Sequence, residues 1–132
     1  MPDRLYELIR RSSPWLLAVY WIVLFTLTHI PVPDGLPGSD LVLHLAAYFV
    51  LATLFTTVLL TRGVRGRRFV LMTIGVLFAF GVFDELTQML VNRHCDPLDA
   101  LADWVGVVCG MTVTWFVGFR LFGTQLNSEP VL

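Results

Sequence analysis

The sequence predicts an all-α integral membrane protein, a four-helix bundle with both termini in the cytoplasm. Three observations predict it. The 132 residues are 56 % hydrophobic and 14 % charged, with a mean hydropathy of +0.74, whereas soluble domains carry about 25 % charged residues. Four apolar stretches are each long enough for a hydrocarbon core of about 30 Å, which takes roughly 20 helical residues. The arginines, finally, gather on one side of those stretches.

The spans follow in order. Pro14 to Ile30 is nearly uninterrupted, Leu41 to Thr61 and Phe69 to Val91 are longer, and Leu98 to Phe122 is the longest, with an acidic first turn. A single chain of this size can satisfy its backbone in lipid only as helices. Proline marks the ends: Pro14 is expected to open the first span, Pro31, Pro33 and Pro37 fill the loop after it, and Pro97 precedes the fourth. Short loops make successive spans antiparallel. No repeat or low-complexity tract interrupts residues 1–132, which read as a single domain, and Gly123 to Leu132 reads as a frayed tail.

Arg4, Arg10 and Arg11 ahead of an apolar run resemble a secretory signal, but no small-x-small pattern follows Ile30, so an uncleaved first span is expected. The chain has no lysine. Eight of its nine arginines (Arg4, Arg10, Arg11, Arg62, Arg65, Arg67, Arg68 and Arg120) fall on one side of the spans and only Arg93 on the other. The positive-inside rule then places both termini and the Arg62 to Arg68 loop in the cytoplasm. A net charge of -1 and a pI near 6.2 leave no basic footprint for nucleic acid. Cys95 and Cys109, separated by 14 positions, would stand about 20 Å apart along a helix and are not expected to bridge.

Seven of the ten acids lie on the opposite side from those arginines or in the nearer half of a span: Asp34, Asp40, Asp84, Glu85, Asp96, Asp99 and Asp103. A charge at the centre of a span costs about 2.5–3.5 kcal/mol on insertion scales, so acids do not accumulate there without partners or purpose. Helical spacing aligns Asp40, His44 and Tyr48 on one face of the second span. It aligns Glu85 with Gln88 on the third, and Asp99, Asp103, Gly106 and Gly110 on the fourth. Ala102, Gly106 and Gly110 form a small-xxx-small series that turns the aspartate stripe toward the bundle interior. Arg93 and His94 lie in the loop between the third and fourth spans. A single polar site at the outer face is expected. Asp84, one position and about 100° of helix from Glu85, is expected to face an aqueous opening.

Plainer roles exist for some of these residues. Asp99 beside Pro97 suits a helix N-terminus, where the macrodipole favours an acid. His44 and Tyr48 suit packed interface positions, and Gly106 with Gly110 suits helix packing. Glu85 and Gln88 fit such roles least.

The ordered set Asp40-xxx-His44-xxx-Tyr48, Glu85-xx-Gln88-xxxx-Arg93, then Asp99, Asp103, Gly106 and Gly110 resembles the VanZ-like family of small bacterial membrane proteins. The resemblance runs from about Asp40 to Gly110. Two departures add negative charge: Asp103 where the family often carries Asn, and Leu41 where it often carries Lys. The family is named for a member implicated in low-level resistance to the glycopeptide teicoplanin. The resemblance therefore implies a multi-pass protein of the bacterial cytoplasmic membrane with an envelope-facing role.

The expected function is binding of an envelope lipid headgroup, a lipopeptide or a cell-wall precursor, linked to glycopeptide or envelope-stress tolerance. Asp40, His44, Tyr48, Glu85, Gln88, Arg93, Asp99 and Asp103 are the candidate binding residues, with Arg93 pairing an anionic ligand group or Glu85. The alternative is an enzyme acting on a lipid-linked substrate through His44 and the carboxylates, although the three motif-bearing spans hold no serine nucleophile. A metal site drawing on His44, Glu85, His94, Cys95, Asp96 and Asp99 has suitable donors, but "HCDPLD" is not a recognised ligand spacing, so no metal and no cofactor is assigned. Transport fits poorly, because the inner halves of the spans are Leu, Val, Phe and Thr. The partners expected are the lipid bilayer and such a ligand, with no nucleic acid, and oligomeric state does not follow from the sequence.

Overall fold

A computed structural model of the protein describes residues 2–30, 39–91 and 97–128. Four α-helices follow in chain order: α1 (Pro2–Thr28), α2 (Ser39–Thr61), α3 (Gly66–Gln88) and α4 (Pro97–Ser128). A 3-10 turn, Met89–Val91, continues α3, and no strand occurs among the described residues. The helices contain apolar stretches of 26, 21, 23 and 31 residues with mean hydropathies of 1.2, 2.0, 1.9 and 1.6. Even the shortest extends about 32 Å at the helical rise, enough to cross a bilayer. The all-α architecture expected from the sequence is the one observed, with four helices long and apolar enough to span a membrane.

The outer surface suits hydrocarbon. Leu16, Val19, Ile22, Leu71, Val108 and Phe116 are exposed, an arrangement that water penalises and acyl chains accept. Threonines in the spans spend their hydroxyls locally: Thr26, Thr53, Thr57 and Thr112 each donate to the carbonyl four residues back at 2.7–2.8 Å.

The most extensive packing is between α2 and α4, which are not sequential and run parallel. Small residues make it possible. A Cβ added at Gly106 would collide with the Leu45 carbonyl oxygen and lie 2.9 Å from the Phe49 nitrogen; one at Gly110 would lie 3.2 Å from the Thr53 nitrogen. Backbone therefore meets backbone. Ala102 is buried on the same stripe, and Gly118 continues it against Leu60. Helix α1 packs antiparallel on α2, where the Tyr20 hydroxyl donates to the Ala47 carbonyl at 2.9 Å.

Two apolar clusters fill the interior. Leu24, Tyr48, Leu51, Ala52, Leu77 and Val107 occupy the middle. Tyr6, Leu59, Leu60, Val64, Phe69 and Leu126 close the end that carries both termini and the α2–α3 turn. That turn ends α2 with left-handed Gly63 (φ 79°). The Gly63 amide donates to the Leu60 carbonyl at 3.1 Å, and the Val64 amide reaches the Leu59 carbonyl at 3.0 Å. This pairing satisfies the last carbonyls of the helix, and Val64 packs with Leu59 as the motif requires.

The structure departs from the sequence reading at both ends. Pro14 does not open the first helix but lies inside it, because residues 2–13 continue as helix and Tyr6 packs on Phe122. The expected frayed tail is also helical as far as Ser128, after non-helical dihedrals at Phe122. Leu126 is buried in the terminal cluster and the Gln125 side chain donates to Asp3 at 2.8 Å, which is why the segment stays ordered against the bundle.

Gly106→Ala should lower stability by about 1–3 kcal/mol, because the added carbon meets main chain that cannot step aside. Gly75→Ala, whose added carbon meets nothing within 4 Å, should leave it unchanged or raise it. Denaturation of the two variants in detergent, followed by circular dichroism, compares them; equal losses would show that the α2–α4 approach is not a constraint.

Candidate functional site

A group of polar side chains gathers at the other end of the bundle, where α1 and α3 finish and α2 and α4 begin. Six of them are buried: His44 on α2, Asp84, Glu85 and Gln88 on α3, Asp103 on α4, and Tyr48 one turn below His44. They form two adjoining groups.

The first joins α2, α3 and α4. His44 Nδ1 lies 3.0 Å from Asp103 Oδ1. A carboxylate only accepts, so Nδ1 carries the proton and Nε2 faces Asp99 Oδ2 at 3.9 Å. Glu85 approaches from α3: one donor atom from each of His44, Glu85 and Asp103 lies within 4.8 Å of the other two. Helical spacing explains the convergence. Asp99 and Asp103 are one turn apart on the stripe that continues into Gly106, and the close α2–α4 approach brings that stripe up to His44.

The second group joins α1 and α3. Asp84 accepts from the Thr28 hydroxyl on one oxygen and from the Gln88 amide on the other, each at 2.9 Å. His29 Nδ1 donates to the Phe25 carbonyl at 2.7 Å and lies 3.8 Å from Asp84. Its Nε2 faces the Thr87 hydroxyl at 2.9 Å. The expectation that Asp84 faces an aqueous opening is therefore corrected: the residue is 1 % exposed. A carboxylate so placed needs both oxygens occupied, since burying an uncompensated one costs several kcal/mol, and Thr28 and Gln88 meet that need.

Of the positions named from the sequence, His44, Glu85, Asp99 and Asp103 come together directly. Gln88 bonds Asp84 rather than Glu85. Tyr48 lies beneath the group, its ring over Gly81, where an added methyl would meet Cε1 at 3.6 Å and the hydroxyl at 3.7 Å. Arg93 lies outside the described residues, as do His94, Cys95, Asp96 and the side chain of Asp40. Sequence reasoning missed Thr28, His29 and Asp84. The signal for the first two was a polar Thr-His pair in the last turn of an otherwise apolar span, at the same end as the acids.

Chemically, the arrangement is an acid-rich, imidazole-bearing recess that suits cations, amines or a hydrogen-bonding headgroup more than a bare anion. Comparison with known proteins finds no match: no family model fits the chain, and no curated protein or solved structure is similar to it.

Thr28→Val should cost about 1.5–3 kcal/mol, the range for a hydrogen bond to a charged group, while Thr26→Val, which loses only a bond to its own helix, should cost under about 0.5 kcal/mol. Detergent unfolding of the two variants measures the difference; equal costs would mean that the Thr28–Asp84 bond contributes nothing.

Proposed function

We propose that the protein is a VanZ-like, multi-pass component of the bacterial cytoplasmic membrane whose polar end faces outward and binds the headgroup of an envelope lipid, a lipopeptide or a cell-wall precursor. The observation that carries the reading is the joining of His44, Glu85, Asp99 and Asp103 from three helices at one end of the bundle. Acids in a span are expensive, and several gathered from separate helices mark a functional site. The ordered motif from Asp40 to Gly110 supports the family reading. Orientation is supported by arginine: Arg4, Arg10, Arg11, Arg62, Arg65, Arg67, Arg68 and Arg120 belong to the opposite end, the one that favours the cytoplasm.

In this reading His44 and the carboxylates take the polar or cationic part of the headgroup. The apolar flanks of α3 and α4, such as Leu86 and Leu101, receive its chains from the bilayer. Arg93, in the segment joining α3 to α4, supplies a cation for a phosphate on the same ligand. A second reading, an enzyme acting on a lipid-linked substrate, is favoured by one observation. His44 stands between Asp103 and Asp99, as an imidazole oriented for general base work would. Turnover of radiolabelled undecaprenyl or phospholipid substrates by the purified protein would select it over binding.

Glu85→Gln and Arg93→Ala, each at wild-type membrane level, should reduce whatever teicoplanin or lipopeptide tolerance the wild-type chain confers; undiminished tolerance in both would remove the assignment. In a Cys95→Ser, Cys109→Ser background, Asn92→Cys should react with an impermeant maleimide added to intact cells. Labelling only after lysis would reverse the orientation.

A further inference from the structure

We infer that His44, Glu85 and Asp103 form a binding site for a divalent transition-metal ion of the zinc class. It concerns the same recess as the headgroup reading but stands on its own observations, and metal uptake tests it apart from any tolerance phenotype. Three observations carry it.

The first is convergence. The three residues come from α2, α3 and α4, all are buried, and their donor atoms lie within 4.8 Å of one another. An ion about 2.1 Å from each donor would draw tetrahedral ligands to roughly 3.4 Å. His44 and Asp103 are already at 3.0 Å, so the adjustment falls on Glu85, the longest of the three side chains.

The second is charge. A neutral imidazole with two carboxylates carries two negative charges, which a divalent ion cancels, leaving only the Asp99 carboxylate beside the imidazole. A protonated imidazole would still leave one negative charge in the interior of the bundle. Asp84 stands apart from this balance, because both of its oxygens are held by Thr28 and Gln88.

The third is Tyr48. Its hydroxyl is fully buried and has no hydrogen-bond partner among the described residues. It stands against Gly81, one turn from Asp84 and Glu85, within electrostatic reach of Asp103, Asp84 and Glu85. A buried phenol with neither donor nor acceptor satisfied is costly, and this one lies one turn below His44 at the base of the group. Three protein ligands leave a fourth position on the ion, and Tyr48 is placed to hydrogen-bond what occupies it.

The donor chemistry selects the ion. One imidazole with two carboxylates suits Zn2+, Mn2+, Fe2+ or Co2+, whereas Ca2+ and Mg2+ favour oxygen alone. The ion takes Nδ1 of His44 in place of the proton shared with Asp103. The remaining N–H, on Nε2, then points to Asp99 Oδ2, now 3.9 Å away. Asp99 is thereby a positioning residue, the carboxylate that orients a metal-bound histidine. The set was hidden from sequence spacing because its members lie 41 and 18 positions apart along the chain.

The test uses the full chain purified in detergent, stripped with a chelator and titrated with Zn2+ and separately with Co2+. About one ion per chain should bind. Co2+ should give the visible absorption of a low-coordinate site, and Zn2+ should raise the melting temperature. His44→Ala, Glu85→Gln and Asp103→Asn should each abolish stoichiometric uptake, while Asp84→Asn should retain it. Asp99→Asn should weaken affinity by about 10- to 100-fold and still show the Co2+ bands. A wild-type chain that takes up neither ion and shows no rise in melting temperature overturns the inference without recourse to any variant. So does unchanged stoichiometry in the three ligand variants.

Discussion

The close approach of α2 to α4 at Gly106 and Gly110 is the constraint on which the rest of the molecule depends. Main chain meets main chain there, with no room for a side chain between. In lipid, helices gain nothing by hiding apolar surface from one another, so contact must come from fit. Two glycines and an alanine at four-residue spacing provide that fit along one line of α4. About one turn before Gly106, on the adjoining stripe, stand Asp103 and then Asp99, carried by the same geometry to the side of His44. Packing and polar chemistry are thus one arrangement seen at two depths.

The bundle is also divided lengthwise. Its arginine-bearing end is closed by aromatic and aliphatic packing, with Tyr6 against Phe122 and Phe69 against Trp115. The other end is closed by hydrogen bonds between helices, Thr28 to Asp84 and His44 to Asp103. Dispersion and apolar shape hold the first, and directed polar contacts hold the second. The second is more specific and more easily perturbed, since removing one partner strands a buried charge.

The fold was largely legible in the sequence because its signal is bulk hydropathy summed over about 20 residues. Local signals misled where tertiary contacts override them. Pro14 resembled a helix start, yet Tyr6 and Leu126 extend order beyond both expected boundaries by packing on each other's neighbours. At the site, His44, Asp99 and Asp103 were legible from periodicity, which reports the face a residue occupies. Periodicity does not report which face of another helix it meets, so Gln88 was assigned beside Glu85 when it serves Asp84. Thr28 and His29 were missed for a related reason: each completes a contact with α3, and such a contact has no signature within its own helix.

The parallel pairing of α2 with α4 has a consequence for biogenesis. Ribosomal synthesis delivers the helices in chain order, so Asp84 emerges to find Thr28 already made, and its hydrogen bond can form within a three-helix intermediate. Glu85 and His44 emerge before their shared neighbour, Asp103, exists. The Asp103 oxygen that meets His44 Nδ1 at 3.0 Å arrives only with the last helix. The polar group at that end is therefore completed only by the final helix, the last of the four to be made.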